Sequence, residues 1–106
     1  MLRPVFIWQN KKLKKIKPEQ VTCLCADENY TRIFLEDKSH YMVRSTLSGT
    51  LKKFPHGMFI KVHRAYAASI NFIDEVDRDH MVVDGEPMPV SKQYYRSVMR
   101  QLNVID

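Results

Sequence analysis

Glycine is scarce, three residues in 106, so the chain has no glycine-rich loop to cradle phosphate. No nucleophile elbow and no carboxylate pair served by a base stands out, and no catalytic residue or cofactor is expected. Cysteine is limited to Cys23 and Cys25, whose side chains project the same way along an extended backbone. That excludes a framework disulfide and points to a reducing, cytoplasmic setting. Together with His40, His56, His63 and His80 the thiols supply ligand types, but without the spacing of a zinc finger or a helix-borne zinc site, so no metal is expected. Long hydrophobic runs are missing too. Val5 to Trp8 and Ala65 to Ile70 fall far short of a membrane span, and no signal-peptide core follows the N-terminus, so no membrane partner is expected. No repeat, linker or low-complexity tract interrupts the chain, and one domain over 1–106 is the expectation.

What the chain does hold is positive charge. Seventeen Lys and Arg against twelve Asp and Glu leave +5 at pH 7, which favours polyanionic partners without naming one. The remaining composition, 44% hydrophobic and 27% charged, is that of a chain able to bury a core.

The hydrophobic pattern predicts a mainly β protein with two short helices. Phe6-Ile7-Trp8 precede a turn at Gln9 and Asn10, and Lys11 to Lys17 reads as a charged edge strand. Pro18 and Glu19 break the pattern before Val21 to Ala26, which has the length and flanks of a buried strand. Tyr30 to Leu35 and Tyr41 to Arg44 form a hairpin. Ser45 or Thr46 then caps a short helix marked by Leu47, Leu51 and Phe54 and stopped by Pro55 and Gly57. Phe59 to Val62 and Phe72 to Val76 read as strands, and the segment between, His63 to Ser69, is left open between a loop and a single helical turn. Asp84-Gly85 joins Met81–Val83 to Glu86–Val90 as a type I′ hairpin, whose second strand is an edge because of Pro87 and Pro89. Ser91 caps a last helix with Tyr95, Val98, Met99 and Leu102 facing inward and Lys92, Arg96 and Arg100 facing outward.

Three constellations carry recognition chemistry. Asn29-Tyr30-Thr31-Arg32 stands at a turn, where Asn pairs with adenine, Thr meets a thymine methyl and Arg forks onto guanine. Turn chemistry for Asn29 and cross-strand packing for Tyr30 are the plain alternatives. Lys61 to Tyr66 alternates cations and aromatics at a strand end, giving Arg64 reach towards base edges or phosphate, although such mixtures also arise in ordinary loops. The stripe Lys92, Arg96, Arg100 suits a phosphate backbone as well as it suits water. The lysines from 11 to 17 guard an edge strand and, secondarily, attract phosphate.

Four blocks in register across residues 26–95, an ordering far more specific than any one of them, resemble the signature segments of the LytTR family of DNA-binding domains. They are Ala26 to Thr31, Tyr41 to Ser48, Phe59 to Tyr66, and Met88 to Tyr95. The resemblance covers essentially the whole chain. It implies an elongated fold of short, mostly antiparallel sheets, used by bacterial response regulators to bind promoter direct repeats in double-stranded DNA, with a homodimer formed on the repeats. It implies contacts from Asn29, Tyr30, Thr31, Arg32, His63, Arg64 and Tyr66, and from Ser91, Lys92, Gln93 and Arg96 at the last helix. Thr31, Arg64 and Lys92 or Gln93 match the base-reading positions most closely. Ala65 and Ala67-Ala68-Ser69 depart from the family's usual serine and aliphatic pair ending in asparagine, which blurs the phosphate contacts there. An N-terminal receiver or sensor domain commonly precedes such a domain and is not in this chain, so an output module of a larger regulator is expected. The rival reading is a protein or membrane-surface interaction module using the same basic face.

Overall fold

The computed structural model describes residues 2–106. The first two strands, β1 (Val5–Gln9) and β2 (Lys12–Ile16), pair as an antiparallel ribbon with Trp8 opposite Leu13. The turn is Asn10-Lys11, one residue later than the sequence suggested. Both residues take positive φ, 51° and 65°, the requirement of a two-residue primed turn. Alternation along β1 turns Ile7 into the core and leaves Phe6 and Trp8 outside.

A five-stranded antiparallel sheet follows, built from β3 (Val21–Asp27), β4 (Tyr30–Leu35), β5 (His40–Val43), β6 (Phe59–His63) and β7 (Tyr66–Ser69), in the order β5-β4-β3-β7-β6. The segment left open between loop and helical turn is thus a two-residue turn, Arg64-Ala65, and an interior strand. Its alanines belong to opposite faces. Ala67 packs with Leu24, Ile33, Leu47 and Phe54, while Ala68 packs with Ile60, Val62, Met81 and Val98. Both alanines are fully buried in this strand, although alanine carries little strand preference of its own.

One face of the sheet is covered by the ribbon and by α1 (Leu47–Leu51), whose N-cap Thr46 accepts a hydrogen bond from the Gly49 N–H at 2.9 Å. The other is covered by a three-stranded sheet, β8 (Ile73–Val76), β9 (His80–Val83) and β10 (Glu86–Pro89), and by α2 (Lys92–Gln101). Asp84 and Gly85 make the expected positive-φ turn, at 49° and 81°, and the proline-bearing β10 is an edge. The described strands all pair antiparallel and the principal extents are 47 × 32 × 23 Å, the mainly β, elongated architecture read from the sequence. No described helix is long and apolar enough to cross a membrane.

Candidate nucleic-acid interface

Register brings the sequence-selected segments to one end of the five-stranded sheet. Asp27 pairs with Tyr30 across the β3–β4 turn, so Glu28 and Asn29 form its tip. Cys25 of β3 pairs with Tyr66 of β7, and the Ala26 N–H donates to the Ala65 carbonyl at 2.8 Å, which places the Arg64-Ala65 turn beside that tip. The N-terminus of α2 joins them because the Ser91 N–H donates to the Val62 carbonyl at 2.9 Å, one residue before His63. Lys61 lies over the Tyr94 ring, 5.7 Å from its centroid, a second tie between β6 and the first turn of α2. Asn29, Arg64, Lys92 and Gln93 are therefore exposed neighbours in one region, although they are as many as 64 residues apart in sequence.

The two turns differ in how they are held. In the first, Glu28 and not Asn29 takes the positive φ, 55°. Asn29 is thus freed of the turn role that its residue type suggested, and its exposed side chain is available to a ligand. In the second, His63 Nδ1 accepts from the Ala65 N–H at 3.1 Å and the His63 ring stacks obliquely on Tyr66, centroids 5.3 Å apart. The register of β6 slips between Lys61 and His63, and such a bulge re-aims the residues after it. Arg64 sits at the tip, exposed.

Two sequence readings are corrected. Thr31 matches a base-reading position in sequence, but its side chain is fully buried and its hydroxyl donates to the Ser45 carbonyl at 2.8 Å, so it braces the β5–α1 connection. Ser91 stands at the N-cap of α2 with extended backbone, yet its hydroxyl makes no capping bond and is buried without a partner. The helix start is set by the backbone bond to Val62 instead.

Arg32 is half-exposed on the sheet and paired with Asp27 at 2.9 Å. With both partners that accessible to solvent the pair contributes little stability, about 0–1 kcal/mol. The outward stripe of α2 is as expected: Lys92, Arg96 and Arg100 are exposed while Val98 is buried. One further cation, not singled out by the sequence pattern, stands at this end. Arg44 follows β5, and since Thr31 pairs with Val43 it is exposed near Tyr30. The hairpin register, readable from Tyr41 to Arg44, was the signal that placed it.

Among the described residues no group of three or more His, Cys, Asp or Glu is assembled for an ion. Burial pushes both thiols, Cys23 and Cys25, above the ordinary cysteine range, so they are protonated and poorly nucleophilic at neutral pH. The Tyr66 phenol is also raised, first by its neighbour Cys25 and then by burial, and remains a hydrogen-bond donor.

A sequence profile of the LytTr DNA-binding domain matches residues 11–103. The sensory transduction protein LytT of Enterococcus faecalis is 25% identical over 95 residues, which cover 84% of this chain and 39% of that protein. A sensory transduction protein LytT of Bacillus anthracis is 30% identical over 70 residues, 60% of this chain and 28% of the relative. The chain thus spans well under half the length of these curated relatives. A solved LytTr DNA-binding domain, from a Bacillus cereus protein described as a methyl-accepting/DNA response regulator, has a TM-score of 0.80 at 20% identity. The match covers 95% of this chain and 97% of that one, and the fold is shared.

Proposed function

Because the chain belongs to the family of LytTR DNA-binding domains, we propose that it binds double-stranded DNA sequence-specifically at promoter direct repeats, as the cytoplasmic output domain of a bacterial transcription regulator. The observation that carries this reading is the convergence of the β3–β4 tip, the β6–β7 tip and the start of α2 at one sheet end. Asn29, Arg64 and Gln93 are the base-reading groups of the proposal. Arg64 offers a fork for guanine O6 and N7, and Asn29 and Gln93 each offer an amide able to pair with adenine. Lys92, Arg96, Arg100 and Arg44 neutralise phosphates, with Arg32 joining when it leaves Asp27. The tilted His63–Tyr66 ring pair braces the β6–β7 tip, Tyr30 stands exposed at the start of β4 beside the other tip, and Ser91 joins α2 to β6 through its backbone. Tandem sites call for two copies side by side, hence a homodimer formed on DNA, and a receiver or sensor domain in the same regulator would gate it.

Selection from a random duplex pool, followed by titration of the winner and a scrambled duplex over a salt series, tests this. A recovered motif bound on the order of a thousandfold more tightly than the scrambled duplex is expected. Equal and steeply salt-dependent binding to every duplex would reduce the site to an electrostatic surface and refute the reading.

A further inference from the structure

The β1–β2 ribbon has two unpaired edges of opposite character. β2 reads Lys-Leu-Lys-Lys-Ile, and lysines along an edge discourage another strand from pairing there. β1 reads Val-Phe-Ile-Trp-Gln, with no charge at all. Its edge runs along a groove of about 460 Å³ whose opposite wall is made by the end of the β4–β5 hairpin and by α1 with the turn after it. The ribbon is held beside that wall, since Gln9 Nε2 donates to the Met42 carbonyl at 3.1 Å and Lys14 lies over the Tyr41 ring. Phe6 and Trp8, on the outer side of β1, are 54% and 68% exposed, and clustered large apolar side chains at such exposure mark contact surfaces.

We propose that this edge is a docking site for an extended, acidic peptide segment of a partner protein, which adds to β1 as a third strand of the ribbon. Main-chain pairing along Val5–Gln9 would take about five residues, roughly 17 Å. Alternate side chains of the incoming strand would cover Phe6 and Trp8 as cross-strand neighbours and enter the groove on the other face. The acidic character follows from the wall. Arg44 and Lys53 are its charged residues among those described, no carboxylate lines it, and the lysines of β2 lie one strand away. Charge also argues against a second copy as the occupant, because a β1–β1 pair would join two chains of +5, each carrying its lysine-rich β2 as an outer strand. The concave wall argues against a flat lipid surface, which could meet the outer ring faces but not the edge.

The sole tryptophan, Trp8, makes the site self-reporting. Peptides selected from a random twelve-residue display library against the whole chain are expected to be net acidic with alternating apolar residues. A synthetic winner lacking tryptophan should shift Trp8 emission to the blue and slow amide exchange across Val5–Gln9. Methylating alternate peptide nitrogens of that winner, or placing Lys53→Glu in the protein, should each weaken binding at least tenfold. Trp8→Ala, read by anisotropy of the labelled peptide, should weaken it comparably with an unchanged thermal transition. Winners without acidic bias, or insensitivity to both N-methylation and Lys53→Glu, would overturn the proposal. So would a concentration-dependent dimer that protects the same amides. A blue shift with phosphatidylglycerol vesicles but with none of the selected peptides would assign the surface to lipid instead.

Discussion

Replacing Thr31 by valine separates holding the site from reading DNA. The side chain is fully buried in β4, and its hydroxyl meets the Ser45 carbonyl at 2.8 Å, tying the strand to the connection that leads into α1. Valine keeps the volume and the β-branching but removes the donor, so the loss is a net hydrogen bond plus the cost of a carbonyl left in a poorer environment. Those effects sum to about 1.5 kcal/mol, partly offset by the added methyl. For a chain of this size that corresponds to a fall in Tm of roughly 6–12 °C. Urea unfolding followed by circular dichroism gives the stability, and titration of selected and scrambled duplexes at a temperature where both proteins are folded gives the specificity. The expected result is lower stability with an unchanged affinity ratio. An unchanged Tm together with relaxed preference for the selected site would refute the reasoning and return Thr31 to the readout.

Arg64→Ala should weaken the selected duplex by about 1–3 kcal/mol and relax preference at one base pair, measured by binding to single-substitution sites. Arg100→Ala should instead weaken all duplexes alike and lower the slope of log K against log salt by about one. Lys11→Gly should raise stability by about 0.5–1 kcal/mol in denaturant melts, because Lys11 occupies a left-handed conformation that glycine adopts freely. Asp37 should titrate below the ordinary carboxylate range in an NMR pH series, since its carboxylate accepts from the Ser39 hydroxyl and N–H. The sign is that of a depressed folded-state pKa: the stabilisation is full at neutral pH and disappears as acid takes the group through its folded pKa.

Where the sequence alone was sufficient, a local signal coincided with the tertiary demand. Asp84-Gly85 announces its turn because both residue types tolerate positive φ, and Lys92, Arg96 and Arg100 declare an outward face because helical spacing and polarity agree. Legibility failed where the determinant is non-local. Ala67 and Ala68 carry little strand preference of their own, and what makes them a strand is the cover on both sides. The Glu28 backbone takes the strained conformation beside an asparagine better suited to it, which leaves Asn29 free in a way that residue statistics disguise. Thr31 has the chemistry of a base contact, and only the pairing of β4 with β5 reveals that its hydroxyl faces inward. For the interface, the participating segments were legible and their adjacency was not, because the register of β3 against β7 and the anchoring of α2 on Val62 lie beyond any local pattern.

The pair of alanines in β7 also bears on how the molecule comes apart. Ala67 and Ala68 stand back to back between two hydrophobic clusters, each with its own helix and its own smaller sheet, so the partition separating them is one strand thick. A structure with two cores might be expected to melt in two stages. Here neither half retains a wall once the other has dissolved, and unfolding should follow a single cooperative transition in which the tips of the recognition end lose their alignment only when everything does.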